Sequence, residues 1–293
     1  MQLFVNDLTV MDFSYLCPRR GMVGESWIVD VILDGGLNEE SMVLDFGLVK
    51  KQLKRLIDEH VDHKLLVPAD NPLCQVQHNE AEERVLVDFL RGSGLSIHLN
   101  CPADAYAFIY ADEISMASVS QYLKEVIATS LPQNVQGLTL MLRSEVINSP
   151  YYHYTHGLKK HDGNCQRIAH GHRSKVVVFK DEQNAPDLEQ YWATRWQDIY
   201  IGTREDLVEL DTLQLSSQAQ SMDLSGHYPF AYESSQGRFE LVIPMAESDL
   251  IDTDSTVECL AQFMADEHKR MQPSAQFKVM AFEGVGKGAI AYA

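Results

Sequence analysis

The stretch GLTLMLRSEVINSPYY, residues 137–152, decides the fold because a segment near the C-terminus repeats its pattern. Residues 137–152 alternate apolar and polar side chains and then reach Glu145 and a pair of tyrosines. AQFKVMAFEGVGKGAIAYA, residues 275–293, does the same and reaches Glu283 and Tyr292. Alternation with a period of two is typical of a strand with one buried face. The two segments lie close to half a chain apart, which indicates an internal duplication.

The sequence upstream of these strands supports the duplication. Residues 115–128 and 255–268 both place apolar side chains on one face of a helix. Strand-like segments open the two halves, SWIVDVILDG at 26–35 and RSKVVVFK at 173–180. We therefore predict an α+β chain divided near residue 148.

The predicted repeats span residues 1–148 and 149–293. The first contains the clearest helix, with Asp45 as N-cap and an apolar stripe formed by Phe46, Val49, Leu53, Leu56 and Ile57. The second carries a polar insertion at about 180–226, and the first a shorter one at about 68–100. Sheets this small have unpaired edges, which favours closure against further copies and hence a homo-oligomer.

Composition excludes several classes of protein. The chain has 293 residues and a net charge of −18, so no basic surface is left over to bind nucleic acid. We expect no signal peptide and no membrane span, because the apolar runs are short. An odd number of scattered cysteines without a CxxC pair favours a reduced, cytoplasmic protein: Cys17, Cys74, Cys101, Cys165 and Cys259.

The segment HGLKKHDGNCQRIAHGH, residues 156–172, contains four histidines and a cysteine. His170 and His172 lie two residues apart where a strand begins, so both side chains leave one face. A hairpin would bring His156 alongside them. Three imidazoles leave the fourth tetrahedral position of zinc open, which is the pattern of a catalytic site. The alternative is a polar surface loop with unrelated histidines.

Cys165 lies between these histidines and has three interpretations. The thiol would be a fourth, structural metal ligand, a base or nucleophile beside the metal, or a loop cysteine. Spacing alone does not choose among them.

A local excess of positive charge surrounds the histidines. Six basic residues accompany a single acid, Asp162, between residues 156 and 180: Lys159, Lys160, Arg167, Arg173, Lys175 and Lys180. This cluster suits an anionic small substrate such as a phosphate ester. The alternative is lysine protection of an exposed sheet edge.

Three further acidic positions are candidates for the site. Asp62 precedes His63 just after the first helix, where the acid would orient the imidazole, although a solvated helix end has the same sequence. Glu258 follows Ser255 by three residues, which a capping box explains fully. Glu283 ends a strand and is either functional or simply exposed.

Taken together, these residues resemble the 6-pyruvoyl-tetrahydropterin synthase / 6-carboxytetrahydropterin synthase family. The family pattern is a lone His, a Cys, an HGH motif, a V-x-DF segment opening a helix, a DH pair, a T-x-E helix start, and a Glu followed by a Tyr. The second repeat matches with His156, Cys165, His170-Gly171-His172, Thr256-Val257-Glu258, and Glu283 with Tyr292. The first repeat matches with Val43-Leu44-Asp45-Phe46, Asp62-His63 and Glu145.

Each repeat departs from the pattern where the other keeps it. The first has Gly24-Glu25-Ser26 in place of HGH, and Tyr15 stands about where the lone His belongs. Its helix start, Ser115-Met116-Ala117, lacks the acid. The second lacks a clear DH pair, of which Gly226-His227 is a candidate remnant. Since the family's active site lies at a subunit interface, one composite site per chain would combine both repeats.

The resemblance implies two tunnelling-fold repeats, each an antiparallel four-stranded sheet with helices on one face, and an assembly of two or three chains that mimics a hexamer. The implied substrate is 7,8-dihydroneopterin triphosphate. The implied product is 6-carboxytetrahydropterin, on the route to deazapurine-modified bases such as queuosine, or alternatively 6-pyruvoyltetrahydropterin.

The resemblance also implies residue roles. Zn²⁺ is held by His156, His170 and His172. Cys165 is the base, and His63, oriented by Asp62, is the partner acid/base. The pterin-anchoring residue is Glu283, and Thr256 and Glu258 belong to the same substrate-binding group, with a purely structural role as the alternative for Glu258. A non-catalytic pterin- or purine-binding homologue is the rival interpretation, and a purely structural metal with Cys165 as its fourth ligand is a third.

Overall fold

A computed structural model of the chain describes residues 1–43, 45–79, 83–92, 94–131 and 133–293. Part of the predicted start of the first helix is not included: Leu44 and the side chains of Phe46 and Val49 lie outside the described residues. None of the described helices is long and apolar enough to span a membrane.

The first half of the chain contains eight strands and two helices among its described residues. In chain order they are β1 (Gln2–Cys17), β2 (Gly21–Gly35), α1 (Phe46–His60), β3 (Leu65–Pro68), β4 (Cys74–Asn79), β5 (Arg84–Phe89), β6 (Ile97–Pro102), β7 (Tyr106–Ile109), α2 (Met116–Ala128) and β8 (Val135–Ser144).

The sheet of the first half has the order β7-β3-β1-β2-β8. Strand β2 is antiparallel to its neighbours β1 and β8, whereas β3 runs parallel to β1, and β7 parallel to β3. The apolar stripes of both helices pack with side chains of this sheet, as the helical periodicity predicts: Leu53, Leu56, Ile57, Val119, Leu123 and Ile127 against Phe13, Trp27 and Val29.

The second half follows the same order with additions. Its elements are β9 (Tyr151–His156), β10 (His170–Lys180), β11 (Gln183–Asn184), α3 (Pro186–Arg195), β12 (Ile199–Thr203), α4 (Ser217–Gln220), β13 (His227–Ser234), β14 (Gly237–Pro244), β15 (Ser248–Ile251), α5 (Val257–Met271), β16 (Phe277–Phe282) and β17 (Gly288–Tyr292). The sheet order β15-β12-β9-β10-β16-β17 matches that of the first half strand for strand, with β17 added.

The predicted α+β class is confirmed, but each sheet differs from four antiparallel strands. Two neighbours on one side, β3 and β7 or β12 and β15, run parallel to the strand beside them. Parallel neighbours cannot be joined by a tight turn, and long connections separate each of these pairs in the chain: β2 and α1 lie between β1 and β3, β4–β6 between β3 and β7, and β13–β14 between β12 and β15. The division near residue 148 and the duplication itself stay predictions.

The region at about 180–226 contains more regular structure than the sequence indicated. Helix α3 and strand β12 lie within it, in the places that α1 and β3 hold in the first half. The hydrophobic pattern of the sequence does not reveal α3, because the helix is short and begins at Pro186. Its buried anchors are the aromatic rings of Trp192 and, just after its end, Trp196.

Additional strands from the two halves combine in one sheet. Its order is β13-β14-β6-β5-β4, and Leu241 of β14 pairs with Leu99 of β6. Phe89, Phe230 and Phe239 are buried in the core of this region. The segments that lengthen each half therefore also join the halves.

The hairpins β1–β2 and β9–β10 cross at two glycines. A Cβ on Gly171 would lie 2.6 Å from Gly24 Cα, and a Cβ on Gly24 would lie 1.8 Å from the carbonyl oxygen of Tyr154. Beside them, the hydroxyls of Ser14 and Thr155 are hydrogen bonded at 2.7 Å. Only glycine allows two backbones to approach so closely.

We predict that Gly24→Ala destabilises the chain by at least 3 kcal/mol, the upper range for overpacking, because the contact is with rigid backbone. Gly36→Ala is the control, since nothing lies within 4 Å of a Cβ there. Urea denaturation of both variants measures the effect. Equal stabilities of the two variants would contradict the crossing.

Candidate metal and catalytic site

Three histidines converge in the interior of the second half. The ladder between β9 and β10 places His170 opposite His156 and His172 opposite Tyr154. Each of the three histidines is at most 1% exposed. One ring nitrogen from each lies within 4.8 Å of the others, a spacing from which three ligands can hold one metal ion. The strand alternation and hairpin pairing that the sequence suggested thus bring these three residues together.

Two of the rings are fixed by backbone acceptors. His156 Nδ1 lies 2.9 Å from the carbonyl oxygen of Ser255, and His170 Nδ1 lies 2.9 Å from that of Arg167. When Nδ1 donates, Nε2 is left with a free lone pair. Nε2 of His156 and both ring nitrogens of His172 are buried without a hydrogen-bond partner. Buried imidazole nitrogens without a partner are what a metal site requires, and His156 is also anchored through its opposite ring nitrogen.

Electrostatics keep two of the rings neutral. Burial, together with positive charge on neighbouring histidines, lowers the pKa of His156 and of His170 well below its ordinary value. Neutral imidazole is the form that binds metal. The residues present therefore fit a zinc-like ion.

Asp12, from β1 of the first half, reaches the third histidine. Its Oδ1 lies 3.2 Å from His172 Nδ1, and its Oδ2 lies 3.4 Å from Lys287 Nζ. The Ser26 hydroxyl donates to Oδ1 at 2.5 Å. Burial raises the pKa of Asp12, but His172, Lys287 and Ser26 outweigh burial and hold the pKa well below its usual range. The group is an ionised carboxylate at neutral pH.

The Asp62-His63 pair of the first half lies beside Cys165 of the second. Asp62 Oδ2 is 2.7 Å from His63 Nδ1. A ring nitrogen of His63, Cys165 Sγ and a ring nitrogen of His170 lie within 4.8 Å of one another. Burial lowers the pKa of His63, but hydrogen bonds to Asp62 and Cys165 raise it to about 10, so the ring is a cation at neutral pH. His170 is the residue that this group shares with the three histidines.

Two cations border the pair without a carboxylate partner among the described residues. Lys64 is 7% exposed and Arg167 is 5% exposed. Burial, with the charge of Arg167, lowers the pKa of Lys64 to about 8, and burial also lowers the pKa of Arg167. An Nη1 atom of Arg167 lies 3.5 Å from the carbonyl oxygen of His63.

Other members of the basic cluster are already neutralised. Lys159 pairs with Asp206, Lys160 with Asp254 and Lys175 with Glu145. Arg167, Arg173 and Lys180 form no ion pair among the described residues, but Arg173 stacks on Tyr151 and Lys180 ends β10. Arg167 is the member of the predicted cluster that lies beside His63, and Lys64, which the sequence did not single out, is its neighbour there.

The predicted substrate-binding residues separate into two groups. Glu283 lies 3.5 Å from Lys287, which connects it to Asp12. Glu258 is exposed in the first turn of α5, and the described residues offer it no polar contact with the histidines. The capping box is wrong, because Thr256 is the N-cap and accepts from the Cys259 N–H. Ser255 instead supports His156.

A related cleft lies at the matching place in the first half. Ser14 pairs with Gly24 as Thr155 pairs with Gly171, so the counterparts of the three histidines are Tyr15, Val23 and Glu25. The residues that correspond to the HGH motif are thus Val23, Gly24 and Glu25, one residue earlier than the Gly24-Glu25-Ser26 suggested by the sequence. An Arg20–Asp198 ion pair of 2.6 Å lies in this cleft, and a cavity of about 590 Å³ adjoins it. Only Glu25 among the three counterparts offers a strong metal ligand.

The comparisons with known proteins agree with the motifs. Residues 16–141 match the family model described as 6-pyruvoyl tetrahydropterin synthase. This segment of the chain is therefore similar to the 6-pyruvoyl tetrahydropterin synthase family. The resemblance drawn from the motifs is thereby confirmed. The matched segment covers the half with Asp62-His63, whereas His156, His170 and His172 lie beyond it.

Solved structures of this family are also similar to part of the chain. A 6-pyruvoyl tetrahydropterin synthase from Plasmodium vivax is 15% identical, with a TM-score of 0.40 over 51% of this chain and 93% of that one. One from Plasmodium falciparum is 13% identical, with a TM-score of 0.36 over 49% and 97%. No curated protein matches the chain significantly.

The geometry shows which residues sequence reasoning missed. Ser26 and Lys287 each contact Asp12 beside His172, and Ser255 holds His156. The available signal for Asp12 was an acid between Met11 and Phe13, two buried apolar residues of β1. Nothing in the sequence paired it with a residue 160 positions away.

Glu25 of the related cleft generates a pH prediction. Burial raises its pKa from 4.5 to about 7, against smaller opposing contributions from the Ser26 N–H, Arg173 and Arg20. Between these pH values the folded chain binds more protons than the unfolded chain, so stability falls as pH rises through the window. Glu25→Gln removes that loss. Between pH 4 and pH 8, the free energy of unfolding of wild type should therefore fall by roughly 3 kcal/mol more than that of the variant.

Urea denaturation at pH 4 and pH 8 measures this difference. Glu258→Gln is the control, because that side chain is exposed. A stability difference between Glu25→Gln and wild type that stays constant with pH would show that Glu25 titrates normally.

Proposed function

We propose that the chain is a metal-dependent pterin synthase acting on 7,8-dihydroneopterin triphosphate with elimination of triphosphate. The proposed product is 6-carboxytetrahydropterin, which would place the enzyme in deazapurine synthesis. Formation of 6-pyruvoyltetrahydropterin uses the same residues and is the alternative. We propose Zn²⁺ as the metal and the cytoplasm as the location.

One observation carries this proposal: His63 and Cys165, from opposite halves, meet beside the three histidines. An acid/base pair adjacent to a cluster of metal ligands suits proton transfer on a substrate that the metal binds. Neither half alone contains all of these groups. Cys165 joins His63 and His170 rather than the group of three histidines, which favours a base over a fourth structural ligand.

The proposed roles follow from the contacts. His156, His170 and His172 would hold the ion, which when bound polarises the substrate's side-chain hydroxyls. Cys165, as thiolate, takes up a proton from the substrate side chain. His63, kept cationic by Asp62, supplies a proton on the same side of the site. Glu283 anchors the pterin edge, while the exposed position of Glu258 favours its structural alternative.

The unpaired cations fit the leaving group. Lys64 and Arg167 carry positive charge next to His63 without a carboxylate partner among the described residues, and a triphosphate would provide one. In a chain of net charge −18, this local charge directs an anion to the site.

The related cleft favours the rival function to a limited degree. This cleft lacks the three histidines, as the clefts of a pterin-binding homologue without turnover would. The complete set of groups around His63 and Cys165 outweighs this argument.

We predict about one zinc ion per chain and loss of dihydroneopterin triphosphate in its presence. Cys165→Ala and His63→Ala should each lower kcat by at least 100-fold, the scale of general acid–base catalysis, while retaining the metal. Elemental analysis and product chromatography on the same samples measure both quantities. One zinc per chain without turnover in wild type would favour the binding protein.

We predict that Lys64→Gln and Arg167→Gln raise KM about tenfold, because each removes one charge-assisted contact to phosphate. Lys160→Gln is the matched control, since Lys160 is exposed and paired with Asp254. Steady-state kinetics at low salt measure the effect. A KM unchanged in both variants would place the triphosphate elsewhere.

We also propose that two or three chains associate through the terminal strands of the two main sheets. Strands β8 and β17 end these sheets within one chain. Ile290 and Tyr292 of β17 are exposed, as expected for a strand that pairs with a partner.

A further inference from the structure

Asp12 contacts both functional groups of the site. It lies in β1 of the first half, is 3% exposed, and belongs to neither the histidine cluster nor the Asp62-His63 pair. Its side chain faces His172, and its backbone faces Asp62 and His63.

The side-chain contact is an ion pair across the two halves. Asp12 Oδ1 lies 3.2 Å from His172 Nδ1, within ion-pair distance, and both ring nitrogens of His172 are buried without a hydrogen-bond partner. A carboxylate this close favours the tautomer with its proton on Nδ1, which leaves Nε2 free to bind metal, and it makes the ring more basic. His156 and His170 have hydrogen bonds from Nδ1 to carbonyl oxygens instead. With Asp12, an acceptor lies beside the Nδ1 atom of each of the three rings.

The carboxylate is itself held in place. The Ser26 hydroxyl donates to Oδ1 at 2.5 Å and accepts from the Arg173 N–H at 3.1 Å, which ties it to the strand that carries His172. Lys287 Nζ lies 3.4 Å from Oδ2. Contacts from three elements leave the carboxylate little rotational freedom.

The backbone of the same residue holds the acid/base pair. The Asp12 N–H donates to Asp62 Oδ1 at 2.7 Å, and the Asp12 carbonyl oxygen accepts from the His63 N–H at 2.7 Å. His63 has a φ of 55°, a conformation that a non-glycine residue keeps only when its surroundings fix it. These two hydrogen bonds provide that restraint.

We infer that Asp12 is a positioning residue that aligns His172 for the metal and fixes the acid/base pair relative to it. The inference rests on the proposed function, because it assigns a role toward the metal of that site. A single residue of the first half thus fixes the position of the histidine cluster relative to the Asp62-His63 pair.

The related cleft provides a matched control. There the polarity is reversed: His153 takes the place of Asp12 and Glu25 takes the place of His172, with His153 Nδ1 3.8 Å from Glu25 Oε2. Glu25→Gln replaces a buried carboxyl group by an amide in the opposite cleft, as Asp12→Asn does beside the histidines. Both variants therefore make the same carboxyl-to-amide change at a buried position.

The experiment measures Co²⁺ binding to the full chain after removal of metal with a chelator. Visible absorption of Co²⁺ reports ligand geometry, and titration gives the affinity; both are independent of turnover. We expect Asp12→Asn to weaken Co²⁺ binding 10- to 100-fold, the range for loss of a partner behind a metal ligand, and to change the absorption bands. Glu25→Gln should keep the wild-type affinity and spectrum.

The outcomes separate the inference from the proposed function. Wild-type affinity and spectrum in Asp12→Asn would overturn the role of Asp12 while the metal site stands. Absence of Co²⁺ binding in wild type would overturn the metal site and the inference with it. An equal loss in Glu25→Gln would mean a general effect on folding and would also overturn the inference.

A second variant decides the case if Asp12→Asn does not fold. Ser26→Ala removes one support of the carboxylate and leaves the charge in place. Weaker Co²⁺ binding by several-fold, with unchanged thermal stability, would support the positioning role. Unchanged affinity would overturn it.

Discussion

The backbone contact between Gly24 and Gly171 is the constraint on which the site depends. A side chain at either position would overlap the opposite hairpin, so the hairpins cross as closely as two backbones can. At this separation, short polar side chains span the interface. Ser14 reaches Thr155, Ser26 reaches the backbone of Arg173, and Asp12 reaches His172. A wider crossing would leave the histidines without their carboxylate and would move the acid/base pair away from Cys165.

Much of the main architecture was predictable because it is encoded locally. Alternation identified β2, β8, β10 and β16, and helical periodicity identified α1, α2 and α5. The three histidines were also accessible, since a two-residue spacing fixes the face of a strand and a hairpin brings in the third. The proximity of Asp62-His63 to Cys165 followed from a family resemblance, as nothing local connects residues about 100 positions apart.

The remainder depends on tertiary contacts that leave little trace in the sequence. Helix α3 is anchored by two tryptophans rather than by a regular stripe, so its periodicity is weak. The pairing of β6 with β14 joins segments that are separated by more than 130 residues. Ser255 matched a capping box, yet its neighbour Thr256 caps the helix because Ser255 faces a histidine ring. In each case a partner distant in sequence decided the local role.

The covalent link between the halves has a consequence for dilution. When the residues of a site lie on separate polypeptides, these dissociate and the site is lost as the protein concentration falls below the dissociation constant. Here β8 leads within a few residues to β9, so each half experiences the other at an effective concentration on the order of millimolar. The pairing of β6 with β14 adds a second attachment. The contact between His63 and Cys165 therefore forms within one chain, at a rate that does not depend on protein concentration or on how many chains associate.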